Sequence, residues 1–521
     1  MNASAAMNGT AVPLWRPLAV LNGLIDLPEP LEVSDITQDS REVSRGAAFL
    51  ACRGRTHHGL EFAHSAVAAG ARAILWEPAP GVIAPALDAS ILVRAVPNLH
   101  ALLGSIADRF FDAPSAHLSV AGITGTNGKT TCAWLLAQSL ALCGRRAAYI
   151  GTLGAGVPGA IQALRHTTPD ALTLQRLLAQ QRASGVDSVA MEVSSHALDQ
   201  DRCAGVRLHT AMFTNLTRDH LDYHGDMVSY GASKARLLRW PGLAARVINV
   251  DDPYGVELAR EWLPGGRDVG DARLFLTSQV SSGRPAAGAD YVCASAIRSD
   301  SAAALELELE LTTSRGAARL TSRLIGDFNV ENLLNVLAAL LAREVPLADA
   351  CAALARCSAP PGRMQLEGGG ALPLVVIDYA HTPDALSKAL RALRAHSHGR
   401  LWCVFGCGGE RDRGKRGQMG RAAALAADEL IVTDDNPRRE DPRQIVASIM
   451  EGITAAGAAA RARVIHERAE AIGSAIASAS AQDVVLVAGK GHEDYQMVGA
   501  ERRPFSDTAV VRELLAQRSA A

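Results

Sequence analysis

The spacing of apolar residues changes several times along the chain, and each change predicts a structural element. Near the N-terminus, short apolar runs at Ala71–Trp76 and Ile91–Ala95 are typical of buried strands, and helical runs alternate with them. Phe111-Asp-Ala-Pro114 has the composition of a linker. The first 112 residues are therefore predicted to form a small mixed α/β domain.

A second pattern begins at Leu118–Ile123, an apolar strand that is followed by a Gly/Thr loop and by the helix Lys129–Leu142. Helical stretches separate several later strands, and this alternation favours a mostly parallel sheet. Those strands are predicted at Ser188–Val193, Thr210–Thr214 and Ala245–Val250. Alternating apolar and polar residues over Leu305–Leu324 predict an antiparallel hairpin instead, and Phe328–Arg343 is predicted to be a helix.

The clearest break in the chain is Ser358-Ala-Pro-Pro-Gly362, after which strands and helices alternate again. The strands of this part are predicted at Leu374–Asp378, Leu401–Phe405, Glu429–Thr433 and Val484–Ala488. The pattern predicts a Rossmann-like open sheet, in which ligands bind at the carboxyl ends of the strands. A length of 521 residues also indicates several domains. The predicted fold class is α/β with three domains, over residues 1–112, 113–357 and 358–521.

Composition excludes several classes of protein. The chain carries 52 Lys and Arg against 54 Asp and Glu, a net charge of −2 with His neutral, which argues against a nucleic-acid partner. A hydrophobic content of 48% excludes disorder throughout. No run approaches the ~20 apolar residues that span a bilayer, so we expect no membrane insertion and a cytoplasmic protein. The nine cysteines are scattered, and even the closest pair, Cys403 and Cys407, favours buried thiols over a metal site.

The strongest chemical signal is the loop Gly122-Ile-Thr-Gly125-Thr-Asn-Gly128-Lys129-Thr130-Thr131, which follows a strand and opens a helix. Gly128 lets the backbone approach phosphates, and the helix N-terminus supplies positive potential. Lys129 is expected to reach the β- and γ-phosphates, and the Thr130 hydroxyl to bind Mg²⁺. Neither earlier glycine lies five residues before Gly128, so the spacing departs from the common phosphate loop. The alternative is a glycine-rich turn without a ligand, and the loop alone predicts no particular reaction.

This loop resembles the ATP loop of the Mur ligases, the ATP-dependent enzymes that form the amide bonds of the peptidoglycan stem peptide. Further motifs of that family follow in order along nearly the whole chain. They are Met191-Glu-Val-Ser-Ser-His196, Thr214-Asn-Leu-Thr-Arg-Asp-His220, Leu221-Asp-Tyr-His-Gly225, Gly326-Asp-Phe-Asn329, Asp378-Tyr-Ala-His381-Thr-Pro-Asp384 and Gly489-Lys-Gly-His-Glu493. The resemblance implies a UDP-sugar-binding domain over 1–112, a central ATP-binding domain over 113–357 and an amino-acid-binding domain over 358–521.

The resemblance also implies a reaction, the addition of meso-diaminopimelate to UDP-N-acetylmuramoyl-L-alanyl-D-glutamate. ATP would phosphorylate the terminal carboxylate, and an amine would attack the acyl phosphate to give the amide. Triphosphate, carboxylate and developing oxyanion are all anionic, so Mg²⁺ and cationic side chains are needed to neutralise them. The implied partners are these small molecules, and we expect a monomer.

The resemblance assigns catalytic roles to Lys129, Glu192, His220 and Lys234. Glu192 and Thr130 would bind one Mg²⁺ and His220 a second. Lys234 would act as a carbamate (N6-carboxylysine), because an ammonium beside Mg²⁺ is repelled whereas a carbamate can bind it. His220 could instead be a helix cap, and Lys234 a surface lysine. The implied ATP-binding residues are Gly125, Thr126, Asn127, Gly128, Lys129, Thr130, Thr131, Asn329 and His381, of which the last two could simply cap helices.

Two further groups are implied to hold the other substrates. The UDP-sugar dipeptide would contact Ser40, Thr56, His57, Thr167, Thr168, Ser194, Gln200 and Arg202. Diaminopimelate would contact Arg411, Asp435, Asn436, Pro437, Arg438, Gly489 and Glu493. Arg438 can meet the far carboxylate with a two-point fork, and Glu493 can accept from the far ammonium. The contact of His166 stays open, and Asp435–Arg438 could also be an ordinary turn.

Other functions share part of this pattern. A folylpolyglutamate synthetase would have the ATP loop and the lysine, but not the Asp435–Arg438 motif or the Ser40 region. A phosphate-loop kinase or a nucleotide-switched binding protein is the alternative from another class. ATP turnover separates them, because a ligase needs both an acceptor and an amino acid, a kinase needs no amino acid, and a switch protein needs neither.

Overall fold

The computed structural model describes residues 15–27, 31–54, 57–266, 271–279, 288–300, 306–394 and 397–520. By packing, the chain divides into two compact units. The first unit comprises the described residues up to Gly125 together with 144–213 and 217–246. The second unit comprises 126–143, 214–216 and the described residues from Val247 onward.

The N-terminal part of the first unit is a small parallel sheet with helices on both faces. Its elements are β1 (Arg16–Pro17), β2 (Glu32–Val33), β3 (Ile36–Thr37), β4 (Ala48–Ala51), α1 (Ala63–Ala68), β5 (Ala73–Trp76), β6 (Leu92–Ala95) and α2 (Leu99–Phe110). The order β3-β4-β5-β6 is parallel throughout. Because side chains alternate along a strand, Leu50 and Leu75 pack with α2, whereas Phe49 and Ile74 pack with α1 on the other face. The predicted linker is a tight turn, in which Asp112 and Ala113 both have positive φ.

The rest of the first unit is built on a second sheet. In chain order the next elements are β7 (Ser119–Thr124), α3 (Lys129–Leu142, in the second unit), β8 (Ala147–Gly151), β9 (Gly154–Val157), β10 (Ala160–Gln162), α4 (Ala171–Ala183), β11 (Ser188–Glu192), α5 (Ser195–Asp199), β12 (Thr210–Phe213), α6 (Leu221–His224) and α7 (Met227–Leu238). The strand order is β10-β9-β8-β11-β7-β12. Strands β8, β11, β7 and β12 are parallel, and β9 and β10 add an antiparallel edge.

The second unit begins with a mixed set of strands and two long apolar helices. Its elements are β13 (Ala245–Asn249, whose first two residues belong to the first unit), α8 (Pro253–Ala259), β14 (Arg273–Ser278), β15 (Asp290–Asp300), β16 (Glu306–Thr313), β17 (Gly316–Ser322), α9 (Asp327–Leu341) and α10 (Leu347–Ala355). Strands β15, β16 and β17 pair in antiparallel fashion, which confirms the predicted hairpin over Leu305–Leu324, although Leu305 itself lies outside the described residues.

The C-terminal part of the second unit is an open sheet covered on both faces. Its elements are β18 (Gln365–Gly368), β19 (Leu374–Asp378), α11 (Pro383–Arg394), β20 (Leu401–Phe405), α12 (Gly414–Ala426), β21 (Glu429–Val432), α13 (Pro442–Ala455), β22 (Ala462–Val464), α14 (Arg468–Ser478), β23 (Val484–Ala488), β24 (Tyr495–Val498), β25 (Glu501–Pro504) and α15 (Asp507–Ala520). The order is β18-β19-β23-β20-β21-β22, parallel except for β18. Cys403 and Phe405 face α11–α13, whereas Trp402 and Val404 face α14 and α15.

The predicted fold class is confirmed, with a mostly parallel central sheet and a separate Rossmann-like C-terminal sheet. The domain boundaries at 112/113 and 357/358 stay predictions. All nine cysteines are free, and Cys403 and Cys407 are both buried, so the prediction of buried thiols at the closest pair is confirmed. Among the helices that the structure describes, none is long and apolar enough to cross a bilayer.

Candidate active site

The phosphate loop leads into α3 in the second unit, and its backbone suits a bound anion. Gly128 has a φ of +85°, and a Cβ there would lie 2.5 Å from Asn332 Oδ1. As the residue before α3, Gly128 has no side chain that could cap the helix, so the N–H groups of the first turn can meet phosphate oxygens. Lys129 Nζ donates to the Thr126 carbonyl at 2.9 Å, which folds the lysine over its own loop.

The loop is fixed by Thr214 and Asn215, which directly follow β12. Thr126 N–H donates to the Asn215 carbonyl at 2.8 Å, and Asn127 N–H donates to Asn215 Oδ1 at 2.9 Å. Thr214 Oγ1 donates to the Asn127 carbonyl at 2.6 Å. Neither Thr214 nor Asn215 was assigned a role from the sequence. The available signal was a polar pair at the carboxyl end of a strand next to the phosphate-loop strand.

Asn329, predicted to bind ATP, is buried at the start of α9. Its Nδ2 donates to the Ile325 carbonyl at 2.7 Å, and its Oδ1 accepts from Asn332 Nδ2 at 3.0 Å. Asn332 in turn lies against Gly128 and accepts from Cys132 Sγ at 3.3 Å. Asn329 therefore stabilises the start of α9 and supports the phosphate loop through Asn332. Its contact with the nucleotide stays a prediction.

In the first unit, Glu192 ends β11 and is only 1% exposed. Its Oε1 accepts from the Tyr149 hydroxyl at 2.5 Å and from Thr152 N–H at 2.9 Å, and its Oε2 accepts from Thr152 Oγ1 at 3.2 Å. A Cβ on Gly151 would collide with Oε1. Three neutral donors and one glycine thus fix the orientation of this carboxylate, as metal-ligating carboxylates require.

Three residues predicted to hold the acceptor substrate surround the same strand end. Thr168 Oγ1 donates to the Glu192 carbonyl at 2.8 Å and accepts from Ser194 N–H at 3.1 Å. Thr167 Oγ1 lies 3.1 Å from Thr152 Oγ1. The structure therefore brings Thr167, Thr168 and Ser194 together with Glu192.

Gln200 and Arg202, predicted for the same substrate, hold each other. Gln200 Oε1 accepts from Arg202 Nε at 2.9 Å and from Nη2 at 2.6 Å. Arg202 Nη1 donates to the Thr168 carbonyl at 3.0 Å, and Gln200 Nε2 donates to the Tyr223 hydroxyl at 3.0 Å. These bonds link the pair to the Thr167–Ser194 group.

Lys234 lies on α7 and is only 1% exposed, which excludes the alternative of a surface lysine. Its Nζ donates to the Gly125 carbonyl at 2.7 Å and lies 4.3 Å from the centroid of the Tyr230 ring. Burial of a lysine is costly unless its nitrogen is well compensated, so this position is a candidate for chemistry.

His220, the residue before α6, lies in a cluster of aromatic and imidazole rings. Its ring lies 4.9 Å from that of His196 and 6.2 Å from that of Tyr230. Burial, with a smaller effect of His220 and His224, lowers the pKa of His196 to about 4, so His196 is neutral at neutral pH. His220 occupies the position before α6 with a φ of +52°, but its side chain makes no capping bond there.

Ser40 begins a short 3₁₀ turn in the N-terminal part of the first unit. Asp39, which precedes it, accepts from Arg41 and lies 3.2 Å from Arg165 Nη1. The hydrogen bond from Arg41 lowers the pKa of Asp39 to about 2. The Arg165 pair joins the Ser40 turn to the segment that leads to Thr167.

The structure gives less information on His57 and Thr56, the other two residues predicted to contact the UDP group. His57 is exposed, and its Nδ1 lies 3.1 Å from Glu61 Oε2. Thr56 lies outside the described residues.

The carboxyl ends of β19, β23, β20 and β21 share one edge of the C-terminal sheet, and this edge gathers several residues predicted for diaminopimelate. Asn436 Nδ2 donates to Glu493 Oε2 at 2.8 Å. Lys490 Nζ donates to the same oxygen at 2.9 Å and to Asn436 Oδ1 at 3.3 Å. Lys490 is 0% exposed and was missed from the sequence, although it stands in the Gly489–Glu493 motif.

Arg438 follows on the same loop as Asn436, and its conformation is fixed by its neighbours. It has a φ of +53°, its N–H donates to the Met497 carbonyl at 3.0 Å, and its carbonyl accepts from Gly499 N–H at 2.7 Å. Its Nη1 donates to the Gly409 carbonyl at 2.7 Å. The guanidinium is therefore held at the end of β20, beside the Gly408–Gly409 turn.

Gly489, at the end of β23, lies very close to Asp435, and its predicted contact with diaminopimelate stays a prediction. It has a φ of +116°, and a Cβ there would lie 2.5 Å from Asp435 Oδ2. Its N–H donates to the Asp378 carbonyl at 3.0 Å. The ends of β19, β21 and β23 are thus packed against one another through a glycine.

Three predicted residues are at this edge without a contact that defines a role. Arg411 is exposed and makes no hydrogen bond within the part of the chain that the structure describes, and Pro437 is buried. His381 is exposed, with its Nδ1 2.8 Å from the Tyr379 carbonyl, and its own carbonyl accepts from Lys415 Nζ at 2.9 Å. Their contacts with ligands stay predictions.

Three family models match successive stretches of this chain: "Mur ligase family, catalytic domain" over 32–111, "Mur ligase middle domain" over 123–340 and "Mur ligase, glutamate ligase domain" over 362–491. A UDP-N-acetylmuramoyl-L-alanyl-D-glutamate--2,6-diaminopimelate ligase from Ectopseudomonas mendocina (strain ymp) is 47% identical over 502 residues, which are 96% of this chain and 99% of that protein. The chain belongs to the Mur ligase family. A Chromobacterium violaceum protein of the same name is 47% identical over 97% of this Mur ligase and 98% of its own length.

A solved structure supports the same conclusion for this Mur ligase. The structure of a UDP-N-acetylmuramoyl-L-alanyl-D-glutamate--2,6-diaminopimelate ligase matches with a TM-score of 0.68 and 33% sequence identity. The match covers 97% of this chain and 100% of that chain.

Mur ligases use ATP and Mg²⁺, and the side chains of this one fit both. The positive φ of Gly128 and the uncapped start of α3 fit a triphosphate. Within the described ranges, no group of three or more His, Cys, Asp or Glu side chains could hold a metal ion. The donors predicted for one Mg²⁺ are the carboxylate of Glu192 and the hydroxyl of Thr130, His220 is predicted for a second, and Lys234 is predicted to add a carbamate. Such a sparse set fits Mg²⁺, which keeps water and phosphate oxygens among its ligands.

Proposed function

We propose that this Mur ligase joins meso-diaminopimelate to the terminal carboxylate of UDP-N-acetylmuramoyl-L-alanyl-D-glutamate, with conversion of ATP to ADP and phosphate. The product is a UDP-linked tripeptide precursor of peptidoglycan. Ligases whose names carry these two substrates are 47% identical to the chain over almost its whole length.

The proposal that the amino acid is diaminopimelate rests on one group of side chains. At the carboxyl edge of the C-terminal sheet, Glu493 is bound by Asn436, and Arg438 follows two residues after Asn436. The far end of diaminopimelate carries a carboxylate and an ammonium, whereas the far end of lysine carries only the ammonium. Glu493 supplies an acceptor for the ammonium, and Arg438 supplies a planar fork for the carboxylate. Lysine would leave the arginine without a substrate partner.

In the first step, the substrate carboxylate attacks the γ-phosphorus of ATP, which forms the acyl phosphate and releases ADP. Lys129 and the first turn of α3 stabilise the phosphate oxygens as negative charge develops on the leaving group. Glu192 and Thr130 would hold one Mg²⁺ and His220 a second. Bound Mg²⁺ supplies charge neutralisation between the phosphates and the carboxylate, which otherwise repel each other.

Lys234 acts in this proposal as a carbamate, formed when its neutral Nζ adds to CO₂ with loss of a proton. The ammonium form would repel Mg²⁺, whereas the carbamate is an anion that attracts it. The burial of Lys234 and its hydrogen bond to Gly125 support a role beside the phosphate loop rather than on the surface.

In the second step, the amine of diaminopimelate attacks the acyl carbon, and the tetrahedral intermediate expels phosphate to give the amide. One proton leaves the ammonium before the attack, and a second leaves as the amide forms. Arg438 and Glu493 contribute by holding the far end of the amino acid, so that its reacting amine is presented to the acyl phosphate.

The acceptor substrate is proposed to bind the first unit. Ser40, with Thr56 and His57, would contact the UDP group, while Thr167, Thr168, Ser194, Gln200 and Arg202 would contact the sugar and dipeptide. The ion pair of Arg165 with Asp39 joins the two segments, which suits a long substrate. We expect the enzyme to act as a monomer in the cytoplasm, where ATP is supplied.

The experiment is ATP turnover by the full-length chain with the UDP-sugar dipeptide, scanned across diaminopimelate, lysine and ornithine. Rapid ADP release is expected only with both the dipeptide and diaminopimelate present. Turnover with the dipeptide alone would indicate a kinase, and turnover with neither would indicate a switch protein. A preference for lysine would contradict the assignment of the amino acid while leaving the ligase assignment intact.

A further inference from the structure

The Glu493 carboxylate uses only one of its two oxygens within the protein. Oε2 accepts from Asn436 Nδ2 at 2.8 Å and from Lys490 Nζ at 2.9 Å. Oε1 accepts no hydrogen bond from any residue in the described ranges. The side chain is 16% exposed, so a ligand can reach it. One oxygen of this carboxylate is therefore committed to the protein, and the other is available.

Lys490 supplies the charged one of the two bonds to Oε2 and also binds Asn436, which supplies the other. The Lys490 side chain is 0% exposed and that of Glu493 is 16% exposed, so solvent screens their ion pair only weakly. Nζ also contacts Asn436 Oδ1 at 3.3 Å and lies 5.4 Å from the centroid of the Tyr495 ring. Asn436 follows β21, whereas Glu493 follows β23, so a single ammonium ties together two separate loops of the pocket.

We infer that Lys490 is a positioning residue that sets the specificity for the amino acid. By binding Oε2, it holds the Glu493 carboxylate in one rotamer, in which Oε1 can accept from the far ammonium of the substrate. The last torsion of a glutamate side chain is broad, so with Asn436 as its one remaining partner, itself no longer held by Lys490, the carboxylate can leave that orientation more easily. Lys490 does not itself attract the substrate ammonium, since both are cations. This inference rests on the proposed use of diaminopimelate.

The test compares two amino acids on each variant of the full-length enzyme. 2-Aminopimelate keeps one amine and both carboxylates of diaminopimelate but has hydrogen in place of the far amino group. Lys490→Met removes the charge at similar side-chain length, Lys490→Arg keeps the charge, and Lys388→Met on α11 is the matched control. The measured quantity is the ratio of kcat/KM for diaminopimelate to that for 2-aminopimelate. Partial unfolding lowers both values equally and leaves the ratio unchanged.

The wild type should prefer diaminopimelate, and Lys490→Met should reduce that preference roughly tenfold to a hundredfold. The reason is that a misoriented Glu493 no longer accepts a good hydrogen bond from the far ammonium, and a hydrogen bond to a charged group is worth this much. The change should come from the KM for diaminopimelate, with kcat and the KM for 2-aminopimelate little altered. Lys490→Arg should give an intermediate ratio, and Lys388→Met the wild-type ratio. Partial recovery of the ratio in Lys490→Arg would not be expected if Lys490 only filled space, because arginine differs from lysine in shape and shares its charge.

Equal losses for both amino acids in Lys490→Met would overturn the inference and make the lysine merely structural. Where Lys490→Met gives no active protein, Lys490→Gln, which is shorter and uncharged, decides, and an unchanged ratio there overturns the inference. Glu493→Gln separates this from the proposed function. If Glu493→Gln keeps the full preference for diaminopimelate, the assignment of the far ammonium to Glu493 fails. If it loses the preference while Lys490→Met keeps it, only the role of Lys490 fails.

Discussion

Nζ of Lys234 donates a hydrogen bond to the carbonyl oxygen of Gly125, 2.7 Å away. Gly125 is the glycine at which the phosphate loop leaves β7, and Lys234 is almost completely buried on α7. A surface lysine keeps its ammonium in water, whereas this nitrogen contacts a loop carbonyl and the face of Tyr230. The lysine is thus tied to the loop that is proposed to bind ATP.

This relationship predicts the behaviour of Lys234→Ala. Loss of the proposed carbamate removes a charge from the site of phosphoryl transfer, so activity should fall roughly a hundredfold or more. Formate or another short carboxylic acid should restore part of it by supplying an anion in the vacated space. The measurement is ligation rate against formate concentration, with Lys388→Ala as the control. Full activity of Lys234→Ala without added acid would contradict the assignment.

Asn215 offers a test of the phosphate loop itself. Its Oδ1 accepts from Asn127 N–H, so Asn215→Ala should loosen the backbone that is proposed to bind the triphosphate. A net hydrogen bond is worth about 1 kcal/mol, which predicts a roughly fivefold increase in KM for ATP. The KM for diaminopimelate should not change, because the carboxyl edge of the C-terminal sheet is untouched. An exposed asparagine, Asn22, provides the matched alanine control. An increase in both KM values would point to general destabilisation instead.

The secondary structure was largely predictable because it follows from local spacing. The strands Leu374–Asp378, Leu401–Phe405 and Val484–Ala488 were predicted with the bounds that the structure has. Each is a continuous apolar run between turn residues, as expected for a parallel strand that is buried on both faces. The helix Lys129–Leu142 is also as predicted, since a glycine precedes it and the apolar run ends near Gly144.

The partners of the site residues were not predictable in this way. Asn215 binds a residue 88 positions away, and Lys490 binds Asn436 over 54 positions. Their importance depends on which strand ends become neighbours, and the strand order decides this rather than the local pattern. The same limit left open whether Lys234 was on the surface, because one lysine in a helix gives no measure of its burial.

The lowered pKa of the His492 imidazole should make the stability of the protein depend on pH. Burial, with a smaller effect of Arg363, lowers the pKa of this imidazole to about 4. An exposed imidazole has a pKa of about 6.5, so between pH 6.5 and 4 the unfolded chain binds more protons than the folded one. The stability that His492 contributes is therefore fully present above pH 6.5 and is lost as the pH falls towards 4.

His492→Gln removes this titration, so its stability relative to the wild type should change with pH. The wild type should lose about 2 kcal/mol relative to the variant between pH 7 and pH 5. Urea unfolding of both proteins at the two pH values measures the difference. His196, whose pKa is also about 4, is present in both proteins, so its contribution cancels. A difference that is independent of pH would show that His492 titrates normally in the folded protein.

Arg438 provides the sharpest test of amino-acid specificity. Its Nη1 is already bound to the Gly409 carbonyl, which holds the guanidinium beside the Gly408–Gly409 turn before the substrate arrives. In the proposed complex, the rest of the fork binds the far carboxylate of diaminopimelate. Arg438→Ala leaves that carboxylate without its partner, and truncation of one member of a buried charged pair costs about 2–5 kcal/mol. The expected loss in kcat/KM for diaminopimelate is therefore at least tens-fold.

The remaining kinetic constants make this prediction specific. The KM for ATP should barely move in Arg438→Ala, because Thr126–Thr131 are not altered. Arg438→Lys should recover only part of the activity, since an ammonium keeps the charge but lacks the planar two-point fork. Lysine should not become a good substrate, because Glu493 and Arg411 still shape the pocket. Arg439→Ala, at the exposed neighbouring position, is the matched control and should behave like the wild type. The measurement is steady-state kinetics with both amino acids. If Arg438→Ala used diaminopimelate as well as the wild type does, the proposed contact between Arg438 and the substrate would be wrong.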